Sequence, residues 1–406
     1  MQYRVVPKNG DKLSALGFGT MRLPQKGRGS IDEARAIKQI RYAVDHGVNY
    51  LDTAFPYHSG ESETLLGKAL QDGYRDKVKI ATKLPTFLLT KEEEMNKILN
   101  VQLKKLQTDH IDYYLLHALE AKLWKKMQSF NVLKFLEKAK ADGKIVNAGF
   151  SFHGSPRAFK EIIQSNDWAM CQIQYNFLDE TLQAGTEGLR YAASQNLAVM
   201  VMEPLRGGML AGKLPREVKQ AYAQAGTQWS AAEWGLRWVW NHPEVTVVLS
   251  GMNDEKHIEE NIAACETALP NTLTQEELTV VDKVARSYKR LMKVPCTGCG
   301  YCMPCPNGVN IPSNFNTYNQ YSMFSNKFYI RGSYAVLLMG LTGEASDASL
   351  CRNCGVCAQK CPQHIDIPKE LAAVKSDLGG LRTKLMMPII KRLNPLKPKQ
   401  DPQLED

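Results

Sequence analysis

The chain has 406 residues, 44% of them hydrophobic and 23% charged, with a formal net charge of +9. That apolar share excludes wholesale disorder, the length allows two or three domains, and so modest a charge gives no footing for nucleic acid. No apolar run approaches the roughly 20 residues of a membrane-spanning helix, and the first eight residues lack the apolar core of an export signal. The expected compartment is therefore the cytoplasm, where ten cysteines serve as metal ligands or thiols rather than disulfides.

The chain opens with Tyr3–Val6, a hairpin strand ahead of an Asn9-Gly10 turn. Apolar strand-like runs follow at Leu13–Phe18, Val48–Leu51, Lys77–Thr82, Ile111–Leu116, Ile145–Phe150, Met170–Tyr175, Ala198–Met202 and Val245–Leu249. Helix-period stretches lie between them, among them Lys91–Leu106, Asn131–Ala141, Pro156–Gln164 and Ala231–Asn241. Ser30 with Glu33 three residues on reads as a capping box before the first helix. Eight strand–helix units in roughly 250 residues predict an α/β fold of parallel strands closed into a (β/α)8 TIM barrel. A doubly wound open sheet is the alternative, but no Gly-x-Gly-x-x-Gly opens a helix after any strand.

Active sites of such barrels gather at the C-terminal ends of the strands. Asp52 follows the second strand, Lys83 the third and His117 the fourth, and Tyr57 lies five residues past Asp52. Taken singly, His117 reads as a core histidine and Lys83 as a solvated strand end. Together, an acid, a phenol, an ammonium and an imidazole at equivalent strand ends point to chemistry. Trp229, Trp234, Trp238 and Trp240 are expected to pack in the core, Trp234 and Trp238 on one helix face. Cys171 and Cys265 are expected to be buried, inert thiols.

The other eight cysteines fall beyond Met292. That places a boundary there: a barrel over 1–292, a smaller domain over 293–375 and a basic tail over 376–406. Cys351, Cys354, Cys357 and Cys361, followed by Pro362, have the bacterial ferredoxin spacing. Cys296, Cys299, Cys302 and Cys305, followed by Pro306, have one residue fewer before the fourth cysteine. In two-cluster ferredoxins the fourth cysteine of each run serves the other cluster. The expected sets are Cys296, Cys299, Cys302 and Cys361 for one [4Fe–4S] cluster, and Cys351, Cys354, Cys357 and Cys305 for the second. Cys-x2-Cys pairs also build zinc sites, but two triplets each closed by a Cys-Pro favour the cubanes. Helical spacing around Ser333–Leu341 and the length of the connector predict a mainly helical ferredoxin-like module. Arg382–Lys399 holds six basic residues and no acid, which reads as a solvated tail with a short amphipathic helix before Pro395, or as a dock for an acidic partner or membrane surface.

The first 292 residues resemble the aldo-keto reductases. The resemblance rests on Leu16-Gly17-Phe18-Gly19-Thr20-Met21, Leu51-Asp52-Thr53-Ala54 with Tyr57, Ala81-Thr82-Lys83, Asp112–His117, Gly149-Phe150-Ser151, Gln172–Asn176 and Glu260-Asn261. It implies a reductase of small carbonyl compounds using a nicotinamide cofactor laid across the barrel mouth. Tyr57 would protonate the substrate oxygen, Lys83 would lower the phenol's pKa from about 10, Asp52 would pair with Lys83, and His117 would orient the carbonyl. Gly19, Thr20 and Met21 would contact the cofactor, Ser151 and Gln172 its carboxamide, and Met202, Pro204 and Leu205 its ring. Ser250, Gly251 and Met252 would hold its phosphate side, and Glu260 and Asn261 its adenine. Phe152 stands where the family has an asparagine, with His153 as a substitute, and Met202 where a tyrosine stacks. Gly251 and His257 replace the Lys and Arg of members selective for the 2′-phosphate, with Lys256 nearby. NADP(H) is the cofactor expected from the family, and NAD(H) the alternative.

Nicotinamides move two electrons as hydride and each cluster moves one, with a flavin the usual mediator. No flavin fingerprint is visible. The leading expectation is a hydride-transferring carbonyl reductase whose clusters exchange electrons with a ferredoxin or flavoprotein, or stabilise the fold. The alternatives are an electron-transfer protein whose barrel mainly binds nucleotide or a redox partner, and a barrel that has lost reduction and binds another ligand through Phe152, Met202 and Glu203.

Overall fold

Unbroken runs of buried residues, such as Ile111–Leu116 and Ala198–Val201, suit parallel strands covered on both faces. The computed structural model describes residues 1–26, 30–296, 298, 300–341, 344–361, 363–381, 383 and 385–388. Cys299, Pro362 and residues 389–406, which include the stretch just before Pro395, lie outside the described residues. The strands are β1 (Tyr3–Val5), β2 (Lys12–Ser14), β3 (Leu16–Gly19), β4 (Tyr50–Asp52) and β5 (Lys79–Leu84). They continue as β6 (Ile111–Leu119), β7 (Ile145–Phe152), β8 (Met170–Gln174), β9 (Ala198–Met202) and β10 (Val245–Ser250). β3 to β10 form a closed ring in chain order, β10 pairing back onto β3, with every pair parallel. The open-sheet alternative is thereby excluded.

Two local expectations are corrected. The first run, Leu13–Phe18, is two strands. Lys12–Ser14 pairs antiparallel with β1, and Leu16–Gly19 enters the barrel. The Ser14 hydroxyl donates to the Leu16 carbonyl at 2.7 Å and the Trp240 indole donates to Ala15 O at 2.9 Å, which pins the break. The first helix, Glu33–Asp45, is capped at Asp32, so Ser30 and Glu33 form no capping box. Beyond β6 the chain forms a helix, Ala121–Ser129, because the Glu120 carboxylate accepts from the Lys122 and Leu123 N–H groups.

Side chains alternate in direction along each strand, so the barrel interior fills in layers. Tyr50, Ala81, Tyr113, Leu115, Met170, Ala198, Met200, Val247 and Leu249 form its apolar core, and Val6 and Leu13 from the hairpin join them. Two residues further along the same strands come Asp52, Lys83, His117, Gln172 and Met202. The residues that carry charge are thus the next inward layer above an apolar floor. Trp234, Trp238 and Trp240 are buried in the layer around the ring.

The chain divides into two compact units. The first takes Met1–Gly208 and Trp229–Thr274; the second takes Met209–Gln228 and the described residues from Gln275 onward. Helix Gln275–Arg290 therefore packs in the second unit, ahead of the change in cysteine content at Met292. The later part of that unit is helical: Ile311–Met323, Lys327–Leu337 and Ile367–Asp377 pack around Val309, Phe315, Tyr334, Leu371 and Val374. Among the described residues no helix is long and apolar enough to cross a membrane.

Candidate active site and cysteine clusters

Lys83 is the hub of the barrel mouth. Its side chain is 1% exposed, and its ammonium donates to both Asp52 carboxylate oxygens at 2.8 Å and to the Thr53 carbonyl at 2.7 Å. It also lies 5.2 Å from the centre of the Tyr57 ring. Burial opposes the charge, but Asp52 and Tyr57 outweigh it and hold Lys83 above the usual lysine value. Asp52 is pushed the other way by burial, against Lys83, and rises from the ordinary carboxyl range. The two-point contact identifies the pair as ammonium and carboxylate.

Tyr57 begins a tight turn, Tyr57–Gly60, in which His58 and Ser59 take left-handed backbone angles. That turn brings the phenol back over the strand ends, 6.1 Å from the His117 ring, edge to face. The expected depression of its pKa is corrected: burial raises it, and the opposing pull of Lys83 does not cancel that rise. Asp52 and Glu203 add to it. Tyr57 is a phenol that keeps its proton. His117 is forced well below the ordinary histidine value by burial, then by Lys83 and His153. Its Nδ1 is buried without a partner among the described residues. The imidazole is neutral. β6 loses register just past it, where Ala118 takes a φ of 55° and donates its N–H to the Ser151 hydroxyl at 2.8 Å.

The other expected site residues divide. Gln172 joins the cluster, its amide donating to Asp52 at 3.1 Å while its carbonyl oxygen is buried and unpartnered among the described residues. Met202 closes the apolar floor. A Cβ on Gly19 would lie 3.5 Å from the Ser250 carbonyl, and one on Gly251 3.4 Å from Arg22, so the chain segments of β3 and β10 meet there. Asn261 donates to the Ser250 hydroxyl at 3.1 Å, and Met252 is buried. Thr20 is buried and turns its hydroxyl to the Asp52 carbonyl, whereas Met21 is exposed. Leu205, beside the buried Pro204, packs against Gly235 on the helix behind. Phe152 is buried against Phe159 at 4.9 Å, while His153 stands exposed at the strand end. Glu260 is held by Lys256 at 3.6 Å, and Arg35 pairs with Glu255 on the same helix. An unpartnered amide oxygen beside the cluster, and side-chain-free backbone at Gly19 and Gly251, fit a nicotinamide dinucleotide.

Sequence patterning gave no warning of one buried pair. Arg206 donates through Nε and Nη2 to both oxygens of Asp179, each at 2.8 Å, and Asp179 also accepts from Gln174 and Asn176. It ties the loops after β8 and β9, next to Glu203 with its φ of 53°. Nothing in the spacing of residues 179 and 206 marks them as partners.

In the second unit Cys296, Cys302 and Cys361 line one recess with Gly300, Ile311 and Phe315. Cys305 and Cys351 lie close enough to Cys357 to raise its thiol pKa, after burial. Asn307 donates to Cys354 Sγ at 3.9 Å and the Asn353 N–H to Cys351 Sγ at 3.5 Å. Each set thus mixes cysteines from both runs. Among the described residues no three His, Cys, Asp or Glu side chains stand as a site for a single metal ion. Thiols with amide donors suit an iron–sulfur cluster. Cys171 and Cys265 are buried, and burial pushes both thiols up, as inert cysteines require.

A closed eight-strand barrel with this lysine-centred mouth defines a class. Residues 15–286 match the Aldo/keto reductase family, and residues 295–365 match the 4Fe-4S dicluster domain. The chain belongs to the aldo/keto reductase family: it is an NAD(P)-dependent oxidoreductase with a C-terminal iron–sulfur domain. It is similar to the NADH-specific methylglyoxal reductase of Escherichia coli (strain K12), 25% identical over 327 residues, 68% of this chain and 96% of the relative. Aldo-keto reductase YhdN of Bacillus subtilis (strain 168) is 31% identical over 229 residues, 53% of this chain and 66% of the relative. Among solved structures, the holo form of aldo-keto reductase AKR11C1 from Bacillus halodurans aligns with a TM-score of 0.60 and 26% identity, covering 70% of this chain and 96% of that one.

Proposed function

We propose that the barrel reduces a small aldehyde or ketone. One observation carries this: Lys83 is bonded to both oxygens of Asp52 and stands 5.2 Å from the Tyr57 ring, which meets the His117 ring edge to face. The bound nicotinamide supplies hydride to the carbonyl carbon. Tyr57 gives its proton to the carbonyl oxygen, a transfer helped by Lys83 because the ammonium stabilises the phenolate left behind. Asp52 keeps Lys83 charged and in place. His117, uncharged, is left with a ring N–H to orient the same oxygen. Ser151 and Gln172 would take the carboxamide, Gly19, Thr20 and Met21 the near side of the cofactor, and Ser250, Gly251, Met252, Glu260 and Asn261 the adenine side.

NADP(H) is the family expectation, but the adenine side favours NAD(H). Lys256 faces Glu260, Arg35 is engaged by Glu255, and neither Gly251 nor His257 supplies a fixed cation. The similarity to the NADH-specific methylglyoxal reductase of Escherichia coli is in keeping with that reading. The test is Tyr57→Phe assayed on a panel of aldehydes with each cofactor. Turnover should fall by roughly 10²- to 10⁴-fold with cofactor affinity retained, and wild-type protein should bind NADH at least as tightly as NADPH. Wild-type rates in the variant remove Tyr57 as the acid.

In the second domain, Cys296, Cys299, Cys302 and Cys361 would hold one [4Fe–4S] cluster and Cys305, Cys351, Cys354 and Cys357 another. Bound clusters supply one-electron steps, to be exchanged with a ferredoxin or flavoprotein. Thiolates committed to iron suit a reducing cytoplasm.

A further inference from the structure

The two cysteine sets stand in unlike surroundings. Cys296, Cys302 and Cys361 face a recess walled by Ile311, Phe315, Ile365 and Ile367. Cys354 is exposed, and so are Arg352, Asn353, Val356, Gln359 and Lys360 around it. Among the described residues neither Arg352 nor Lys360 has an acidic partner, and Val356, 42% exposed, is an apolar spot between them in sequence. Two N–H···S contacts, from Asn307 to Cys354 and from the Asn353 backbone to Cys351, fall on this exposed set. Hydrogen bonds to sulfur and solvent exposure govern cluster potential, because they stabilise the added negative charge.

We propose that the exposed face of residues 352–360 is a docking surface for an acidic one-electron carrier protein, and that the cluster held by Cys305, Cys351, Cys354 and Cys357 is the one that exchanges electrons with it. The inference rests on the iron–sulfur reading above. In each encounter one electron passes: the carrier is oxidised by one, the cluster reduced by one, and no bond or proton moves. Arg352 and Lys360 attract the carrier's acids, which speeds encounter and makes it sensitive to salt. Val356 offers the apolar contact, and Asn307, donating to Cys354, raises the potential of this cluster.

The test uses the full chain, purified without oxygen, with iron and sulfide counted first. A reduced, acidic [2Fe–2S] ferredoxin is the probe, and cluster bleaching is followed by stopped flow across a range of salt. The wild-type rate should fall as salt rises, and Arg352→Glu with Lys360→Glu should slow it about tenfold or more at low salt, with dithionite reduction and iron content unchanged. Asn307→Leu should move one of the two redox couples downward and leave the other. A rate indifferent to salt and to the charge reversal overturns the docking surface. Two unmoved couples in Asn307→Leu overturn the assignment of the exposed cluster. A wild-type protein without iron and sulfide removes the iron–sulfur reading itself, and the inference with it.

Discussion

Lys83 carries its charge where water does not reach it, and Asp52 is the reason it can. Replacing Lys83 with Met leaves Asp52 buried and unpaired, which costs about 3–5 kcal/mol. Its carboxyl, already raised by burial, then rises further. Such a group favours the folded state below its unfolded pKa and loses that contribution as pH climbs through the folded one. The variant's deficit against the wild type should therefore be smaller in acid than at neutral pH, and urea unfolding of both proteins at pH 4 and pH 7 checks the sign. In the wild type the same cluster sets a wide rate plateau. Tyr57 lies above the ordinary 10.0 and His117 below the ordinary 6.5. Reduction at saturating cofactor should stay level from pH 6.5 to pH 10 and fall only beyond, as the phenol loses its proton. A fall through neutral pH would mean that another group donates it.

At the scale of elements, the strands aim the reacting groups and the loops hold them open. Period-two alternation puts Asp52 above Tyr50, Lys83 above Ala81 and Gln172 above Met170, so a residue count along each strand is enough to find them. The Arg206–Asp179 pair belongs to the loops, and cross-chain pairing of that kind leaves no periodic trace. Asp179→Asn removes the counter-charge of a buried guanidinium, a loss of about 3–5 kcal/mol. In a barrel of this size that corresponds to a thermal midpoint lower by roughly 10 °C. Calorimetry with the visible absorption of the second unit monitored separately assigns the transition. An unchanged midpoint would show the pair to be dispensable.

For the whole molecule, the first unit contains all four groups of the mouth, Asp52, Tyr57, Lys83 and His117, and the second contains the late cysteines. Stripping iron with a chelator under oxidising conditions should abolish the visible absorption and loosen the helices around Phe315 and Tyr334. Nicotinamide-dependent aldehyde reduction should survive it. Loss of both together would tie turnover to the clusters and favour an electron-transfer protein.

The eight strands, the residues at their ends and the two cysteine runs were legible in the residue order alone, because alternation and ligand spacing are local properties of a chain. The split of residues 13–18 between hairpin and barrel, the upward displacement of Tyr57, the Arg206–Asp179 pair and the different exposure of the two cysteine sets were decided only in three dimensions. Each depends on which distant atoms come together and on how much water they exclude, and desolvation is a property of the packed molecule that no stretch of sequence carries by itself.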